Sequence, residues 1–287
     1  MRFVVVGGTG TVGSRVAQAL RDRGAAVRVL TRSPEKARAM PAGVEAVVAD
    51  LRQPSTLVAA FAGASGAFMA TPLSPTETQE GLAAVAAAAA GGVERFVYMS
   101  AAGIDAYPHI PHFASKAPIE QAVRAAGMRY TLLRPNDFFQ NDLRYQSPIV
   151  QHGLYPQPVG AVGVSRVDVR DIADAAAIAL TEPGHEGRTY TLGGPDELTG
   201  DEIARVYRRH LRQPVRYAGD DLDAWSAQAR TALPEWLAEN LRIMYEHMCK
   251  HGMLATDAEL AAARRLIGHG LRTFEEFVAE VASGWRS

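Results

Sequence analysis

The sequence predicts a doubly wound α/β fold: a parallel sheet covered by helices on both faces, with a small, mostly helical C-terminal lobe. Three observations predict it. Short apolar runs without in/out alternation recur through the first half of the chain, as expected of strands buried on both faces. Helical stretches separate these runs and tight hairpin signals are missing, which implies βαβ crossovers. The first apolar run passes through seven residues, Gly7 to Gly13, four of them glycine, straight into a helix-like stretch.

The elements follow in order. Phe3 to Val6 reads as a strand and Ser14 to Arg23 as a helix that ends at Gly24. Val27 to Leu30 is the second strand. Ser33-Pro34-Glu35 opens the next helix, with Ser33 as N-cap and Pro34 at the favoured first position. Val44 to Val48 is a strand, Pro54 to Phe61 a helix, Gly66 to Ala70 a strand and Glu77 to Ala90 a long alanine-rich helix. Phe96 to Met99 and Tyr130 to Leu133 are strands on either side of a helix over Ile119 to Ala126, for which Ser115 is the expected N-cap. The Pro-, Gly- and Gln-rich stretch 145–163 reads as loop. A strand and a helix follow, with Asp168 as N-cap and Asp171 in the first turn. Residues 188–194 form a further strand. The chain from Leu198 is mostly helical. The expected division is a nucleotide-binding core over 1–137, completed by 164–195, and a substrate-binding lobe of 138–163 and 196–287.

Bulk composition narrows the function. The 287 residues are 47% hydrophobic and 21% charged, with a formal net charge of −1, so no global field attracts nucleic acid or anionic lipid. A single cysteine, Cys249, excludes an intramolecular disulfide and a cysteine-rich metal site. His247, Cys249 and His251 do not share one helix face, so no metal set is expected. The longest helical apolar run, Leu82 to Ala90, falls well short of the roughly 20 residues that span a bilayer. Met1-Arg2 run directly into the first strand and leave no room for a signal peptide, so the expected location is cytoplasmic. The expected partner is a small-molecule substrate, with no nucleic acid and no membrane. Monomer and homodimer stay equally open.

The glycine loop carries the chemistry. Gly7, Gly10 and Gly13 give G-x-x-G-x-x-G between a strand and a helix. One glycine permits the tight turn, one lets phosphate oxygens reach the backbone, and one allows close packing of helix on sheet. The helix N-terminus then faces a pyrophosphate. This is a Rossmann-type dinucleotide site, in which Thr9, Thr11 and Val12 share the loop. An NAD site usually has a carboxylate at the end of the second strand. Here that strand ends Thr31-Arg32-Ser33, with no carboxylate before Glu35. Arg32 suits a 2′-phosphate and Lys36 can assist, so the expected cofactor is NADP(H). Asp50-Leu51, ending the third strand, lie where a carboxylate can meet the adenine amino group. Ala70, Thr71 and Pro72, ending the fourth, run beside the cofactor.

Several stretches taken in order, "GGTGTVG", "TRSPEKA", "VVADLRQPSTL", "FMATP", "FVYMSAAGI", "SKAPIEQAVRAAGMRYTLLRPNDFFQN" and "VDVRDIADAA", resemble the NmrA-like family, atypical members of the short-chain dehydrogenase/reductase superfamily. The resemblance covers roughly residues 3 to 195. It implies an NADP-binding Rossmann domain with a small C-terminal lobe. It also implies one of two activities: a reductase of quinones, dyes or phenolic compounds, or a redox sensor that binds the nucleotide without turnover. Pro135 and Asn136 would border the nicotinamide and Phe138 and Phe139 line the substrate pocket.

Ordinary members of that superfamily use Ser, Tyr and Lys, with the tyrosine four residues before the lysine. Here Ser100 and Lys116 fill the serine and lysine positions, and His112 stands where the tyrosine would be. Lys116 is expected to bond the nicotinamide ribose and to supply positive charge. His112 is a candidate proton donor, although Pro118 belongs in a first helical turn and so leaves His112 outside the helix. The expected activity is NADPH-dependent hydride transfer to a small apolar conjugated acceptor, a quinone, enone or aromatic carbonyl. Such an acceptor yields a stabilised anion that needs no strong acid. The alternative is the non-catalytic NADP-binding sensor, which the missing tyrosine favours.

Overall fold

The structure is a computed structural model that describes residues 1–285. In chain order the elements are β1 (Arg2–Val6), α1 (Thr11–Asp22), β2 (Ala26–Thr31), α2 (Pro34–Arg38), β3 (Val44–Val48), α3 (Val58–Phe61), β4 (Gly66–Ala70), α4 (Glu77–Ala90), β5 (Arg95–Met99), α5 (Pro111–Ala114), α6 (Ala117–Ala125), β6 (Arg129–Pro135), α7 (Gln146–His152), β7 (Leu154–Tyr155), α8 (Val169–Thr181), β8 (Arg188–Leu192), α9 (Gly200–Leu211), β9 (Arg216–Tyr217), α10 (Leu222–Ala229), α11 (Glu235–His251), α12 (Asp257–Ile267) and α13 (Phe274–Trp285).

Seven strands form one sheet in the order β3-β2-β1-β4-β5-β6-β8. The first six pair in parallel, with Phe3 beside Val27 on one side and Gly66 on the other. Chain order reverses at β1, which lies between β2 and β4. The crevice at the carboxyl ends of β1 and β4 is therefore the topological switch point, the place where doubly wound sheets bind ligands.

The chain divides into two compact units. The first comprises Met1–Pro135, Val169–Thr191 and Arg265–Gly268. Its strands have few polar side chains to satisfy, and both faces are covered. Val4, Val6, Phe96, Tyr98 and Leu132 pack with Phe61, Val85, Ala88, Ile119 and Val123 from α3, α4 and α6. On the opposite face α1 and α8 lie against each other and over the sheet, burying Val16, Leu20, Ala176 and Leu180. Arg28 is the exception, a cation within β2. Its guanidinium donates to Ala60 O and Ala62 O and pairs with Glu45, so the buried charge is satisfied.

The second unit comprises Asn136–Asp168, Leu192–Arg264 and the segment from His269. A two-stranded pairing of β7 with β9 and helices α9 to α13 supply most of it. At its centre Arg166, fully buried, pairs with Asp142 at 2.8 Å and Asp137 at 2.8 Å. The hydroxyls of Tyr155 and Tyr207 donate to Asp142 at 3.2 and 3.0 Å. The guanidinium also lies over the Phe274 ring, 5.4 Å from its centroid. Burial pushes the Asp142 carboxyl above its usual range, against the pull of Arg166.

Three local expectations are corrected. Helix α1 begins at Thr11, immediately after the third loop glycine, and not at Ser14. The stretch 145–163 is not all loop, since α7 and β7 occupy Gln146–Tyr155. Ser115 is not an N-cap: it lies in the αR region at the end of α5, with Lys116 as the capping residue of α6. Ser33 does cap α2, accepting from the Lys36 N–H at 3.1 Å.

Phe96 has no exposed surface and sits in the middle of the first unit's core. Truncating it leaves a cavity that the surrounding strands cannot close. Phe96→Ala is expected to lower the unfolding free energy by about 3–5 kcal/mol, read as an earlier urea midpoint at unchanged slope.

Candidate active site

The glycines of the loop have separable duties. Gly7 has φ +77°, and a Cβ there would lie 2.7 Å from Ala70 O on the neighbouring strand. A Cβ at Gly13 would stand 2.2 Å from Gly7 O. The fold itself forbids side chains at both positions. Gly10 differs. It is exposed, its φ of −89° and ψ of 176° suit any residue, and a Cβ would touch only Gly7 O, at 3.3 Å. That contact is tight but calls only for a small shift of the loop, far less than a side chain at Gly7 or Gly13 would demand. Gly10 is also the N-cap of α1, no side chain caps that helix, and its first turn carries no acidic residue. The helix end thus presents N–H groups and partial positive charge outward. Thr9 and Thr11 flank this surface, and Val12 is buried beneath it.

The end of β2 is cationic. Thr31 is buried and accepts from the Ser33 N–H through its hydroxyl, whereas Arg32 and Lys36 project from the surface. At the end of β3, Asp50 is already held by Arg52. The guanidinium grips both carboxylate oxygens, at 2.7 to 3.2 Å, and the Arg52 N–H donates at 3.0 Å. These bonds, with the more distant charge of Arg32, lower the Asp50 carboxyl to about 2. The Asp50 carboxylate is therefore the acceptor for a side chain that the sequence reading did not foresee. Leu51 is buried in the core.

A buried polar cluster sits at the end of β4. Glu77, the first residue of α4, is 1% exposed. Its carboxylate accepts from Thr71 Oγ1 at 2.6 Å, from Ser115 Oγ at 2.8 Å and from Lys116 Nζ. Lys116 Nζ also donates to Thr71 Oγ1 at 3.3 Å, and Thr78 Oγ1 donates to Ser115 O at 2.8 Å. Lys116 thus lies at the end of β4, paired with a glutamate that sequence reasoning missed. Ala70 O backs the turn of Gly7, and Thr71 and Pro72 are half-buried.

The other candidate catalytic residues fare differently. His112 lies on α5, one turn before Lys116. Burial, and then the Lys116 ammonium, push its imidazole down to about 4, with Glu77 pulling the other way. The ring is therefore held toward its neutral form, which weakens the case for an imidazolium as proton donor. Its Nδ1 meets no hydrogen-bond partner, and its ring packs edge-on against Phe113. Ser100 is buried at the end of β5 and is not hydrogen-bonded to Lys116. It lies beside Glu120, whose carboxyl is held below its ordinary range against the cost of burial, chiefly by Arg134 and then by Ser100.

In the second unit, Asn136 is buried. Its side-chain amide donates to Met253 O at 2.6 Å and accepts from the Asp137 N–H at 2.8 Å, so its polar atoms serve the unit's own backbone. Pro135, the last residue of the first unit, is buried, its carbonyl accepting from the Ala102 N–H. Phe139 has no exposed surface and packs on Phe274 at 5.3 Å and Phe277 at 5.8 Å. It is core, not pocket wall, while Phe138 keeps a half-buried ring. Tyr245 and Met248 are likewise core. The Cys249 thiol is pushed up to about 12 by burial and by Asp220, which makes it inert.

A parallel sheet with a glycine turn and an uncapped helix at its switch point defines a dinucleotide-binding fold. Comparison with known proteins narrows this. The model of the NmrA-like family matches residues 1–278, and the chain belongs to that family. It is 37% identical to an NAD(P)H azoreductase of Xenophilus azovorans, over 99% of each chain. It superposes on the NADPH complex of an NADPH-dependent quinone oxidoreductase from Escherichia coli with a TM-score of 0.87, at 25% identity over 97% of this chain and 99% of that one. It superposes on the NADP(H) complex of Citrobacter sp. triphenylmethane reductase with a TM-score of 0.86, at 26% identity over 98% and 100%.

The duties of the loop glycines separate in one experiment. Gly13→Ala forces backbone apart and is expected to lower stability sharply. Gly10→Ala is expected to leave stability within about 0.5 kcal/mol of wild type and to weaken dinucleotide binding. Equal thermal unfolding of the two variants contradicts this division.

Proposed function

We propose that the protein is an NADPH-dependent reductase that transfers hydride to a small apolar conjugated acceptor of quinone, azo or related type. The observation that carries this reading is the uncapped N-terminus of α1, where Gly10 leaves exposed, bare backbone at the end of the glycine loop. The residues present fit a dinucleotide. The N–H groups of Thr11, Val12 and Gly13 would hold the pyrophosphate. Arg32 and Lys36 would hold a 2′-phosphate, since the end of β2 offers no carboxylate to repel it. When bound, the cofactor supplies the hydride.

The chain supplies the rest. Lys116 brings an ammonium to the end of β4, where it would donate to ribose hydroxyls and favour anionic character in a reduced acceptor. Thr71 and Glu77 fix that ammonium in place. The tyrosine of the ordinary Ser-Tyr-Lys set is missing here, which suits acceptors whose reduced anion is stabilised by conjugation and protonated by water. Catalysis then rests on orientation and electrostatics. The relatives support the same substrate class: an azoreductase, a quinone oxidoreductase and a triphenylmethane reductase.

Two variants test the reading. Arg32→Ala is expected to weaken NADPH by about 10- to 100-fold, the worth of charge-assisted hydrogen bonds, and to leave NADH nearly unchanged; equal losses contradict a 2′-phosphate site. Lys116→Ala is expected to cut quinone-dependent NADPH oxidation on the order of 100-fold. Tight nucleotide binding with no turnover of any quinone or azo acceptor would instead identify a sensor.

A further inference from the structure

Glu77 is unusual in its place. A carboxylate with almost no exposed surface is costly unless it is fully partnered. Here it has three donors on two segments: Thr71 after β4, and the adjacent Ser115 and Lys116 in the turn that joins α5 to α6. The N-terminus of the 14-residue α4 adds its own partial positive charge. Packing alone does not call for this arrangement, since buried ion pairs seldom stabilise more than apolar residues of the same volume. What it secures is location. Of the ion pair, Lys116 keeps 12% of its side chain exposed and Glu77 keeps 1%, so the carboxylate meets a ligand only through the lysine. His112 is uncharged beside them and adds no competing cation.

We propose that Glu77 is the positioning residue for Lys116, a buried carboxylate clasp, closed by Thr71 and Ser115, that fixes the ammonium at the end of β4 where the nicotinamide half of the cofactor is received. This rests on the reading of Lys116 given above. Without the clasp the lysine's four-carbon stem is free to sample many rotamers, and the entropy of ordering it falls on each binding event. The effect of losing Glu77 is therefore carried by Lys116 and not by the stability of the sheet.

The test is a double-mutant cycle on Glu77→Gln and Lys116→Ala, read first by the dissociation constant for NADPH from titration of the purified protein, and then by kcat and KM for a quinone. Glu77→Gln is expected to weaken NADPH about tenfold in the wild-type background. In the Lys116→Ala background it is expected to add less than about twofold, the non-additivity of groups that act as a unit. Glu77→Asp is expected to recover part of the affinity. Additive effects in the two backgrounds would mean that Glu77 is only structural and would overturn the proposal. If Lys116→Ala itself leaves NADPH binding and turnover unchanged, the reading of Lys116 has failed instead. Should Glu77→Gln fail to fold, Ser115→Ala and Thr71→Val each remove one donor from the same carboxylate. Their smaller losses must vanish in the Lys116→Ala background; losses that persist there overturn the proposal too.

Discussion

The close approach of Gly13 to the carbonyl of Gly7 is the constraint on which the rest of the site depends. With no Cβ in the way, α1 starts hard against the end of β1. Its first turn then points at the switch point between β1 and β4, and its N–H groups are left to a ligand because no side chain caps them. Had the helix begun one turn later, those donors would face open solvent. The crossover order of the sheet does the remainder. β4 lies beside β1, so Ala70 abuts Gly7 and Thr71 follows directly into the same crevice.

Two buried charge clusters show the same economy in different units. In the second unit, Arg166 and Asp142 are fully buried and bonded to Asp137 and the tyrosine hydroxyls, tying irregular chain to short elements. In the first, Glu77 and Lys116 form a pair with one sealed member and one that retains surface. Burial of charge costs free energy in both cases. In the second pair the member that keeps surface is the cation, at the switch-point end of the sheet.

The sheet was legible in the sequence because strands buried on both faces are apolar at nearly every position, and Gly and Pro mark their ends. The glycine loop and the cationic end of β2 were legible because neighbouring residues carry those signals. α7 was hidden by composition, although Pro148 falls in its first turn and Gly153, at φ +58°, closes it. Those two signals could have found the helix. Glu77 was read only as a helix residue. Nothing local ties it to a lysine 39 residues later; the tie comes from β4 and β5 being neighbours. The surroundings of His112 were hidden for a related reason. Its spacing from Lys116 suggested an acid, but its protonation is decided by burial and by that same ammonium, neither of which a single sequence displays.

The central claim is that the bare helix end and Arg32 together receive a dinucleotide carrying a 2′-phosphate. Calorimetric titration of the purified protein with NADPH and, separately, with NADH measures this most directly. The account predicts stoichiometric binding of NADPH, at least about tenfold tighter than NADH, a gap equal to one charge-assisted contact. Equal affinities, or no binding of either, would contradict it and leave the glycine loop without its ligand.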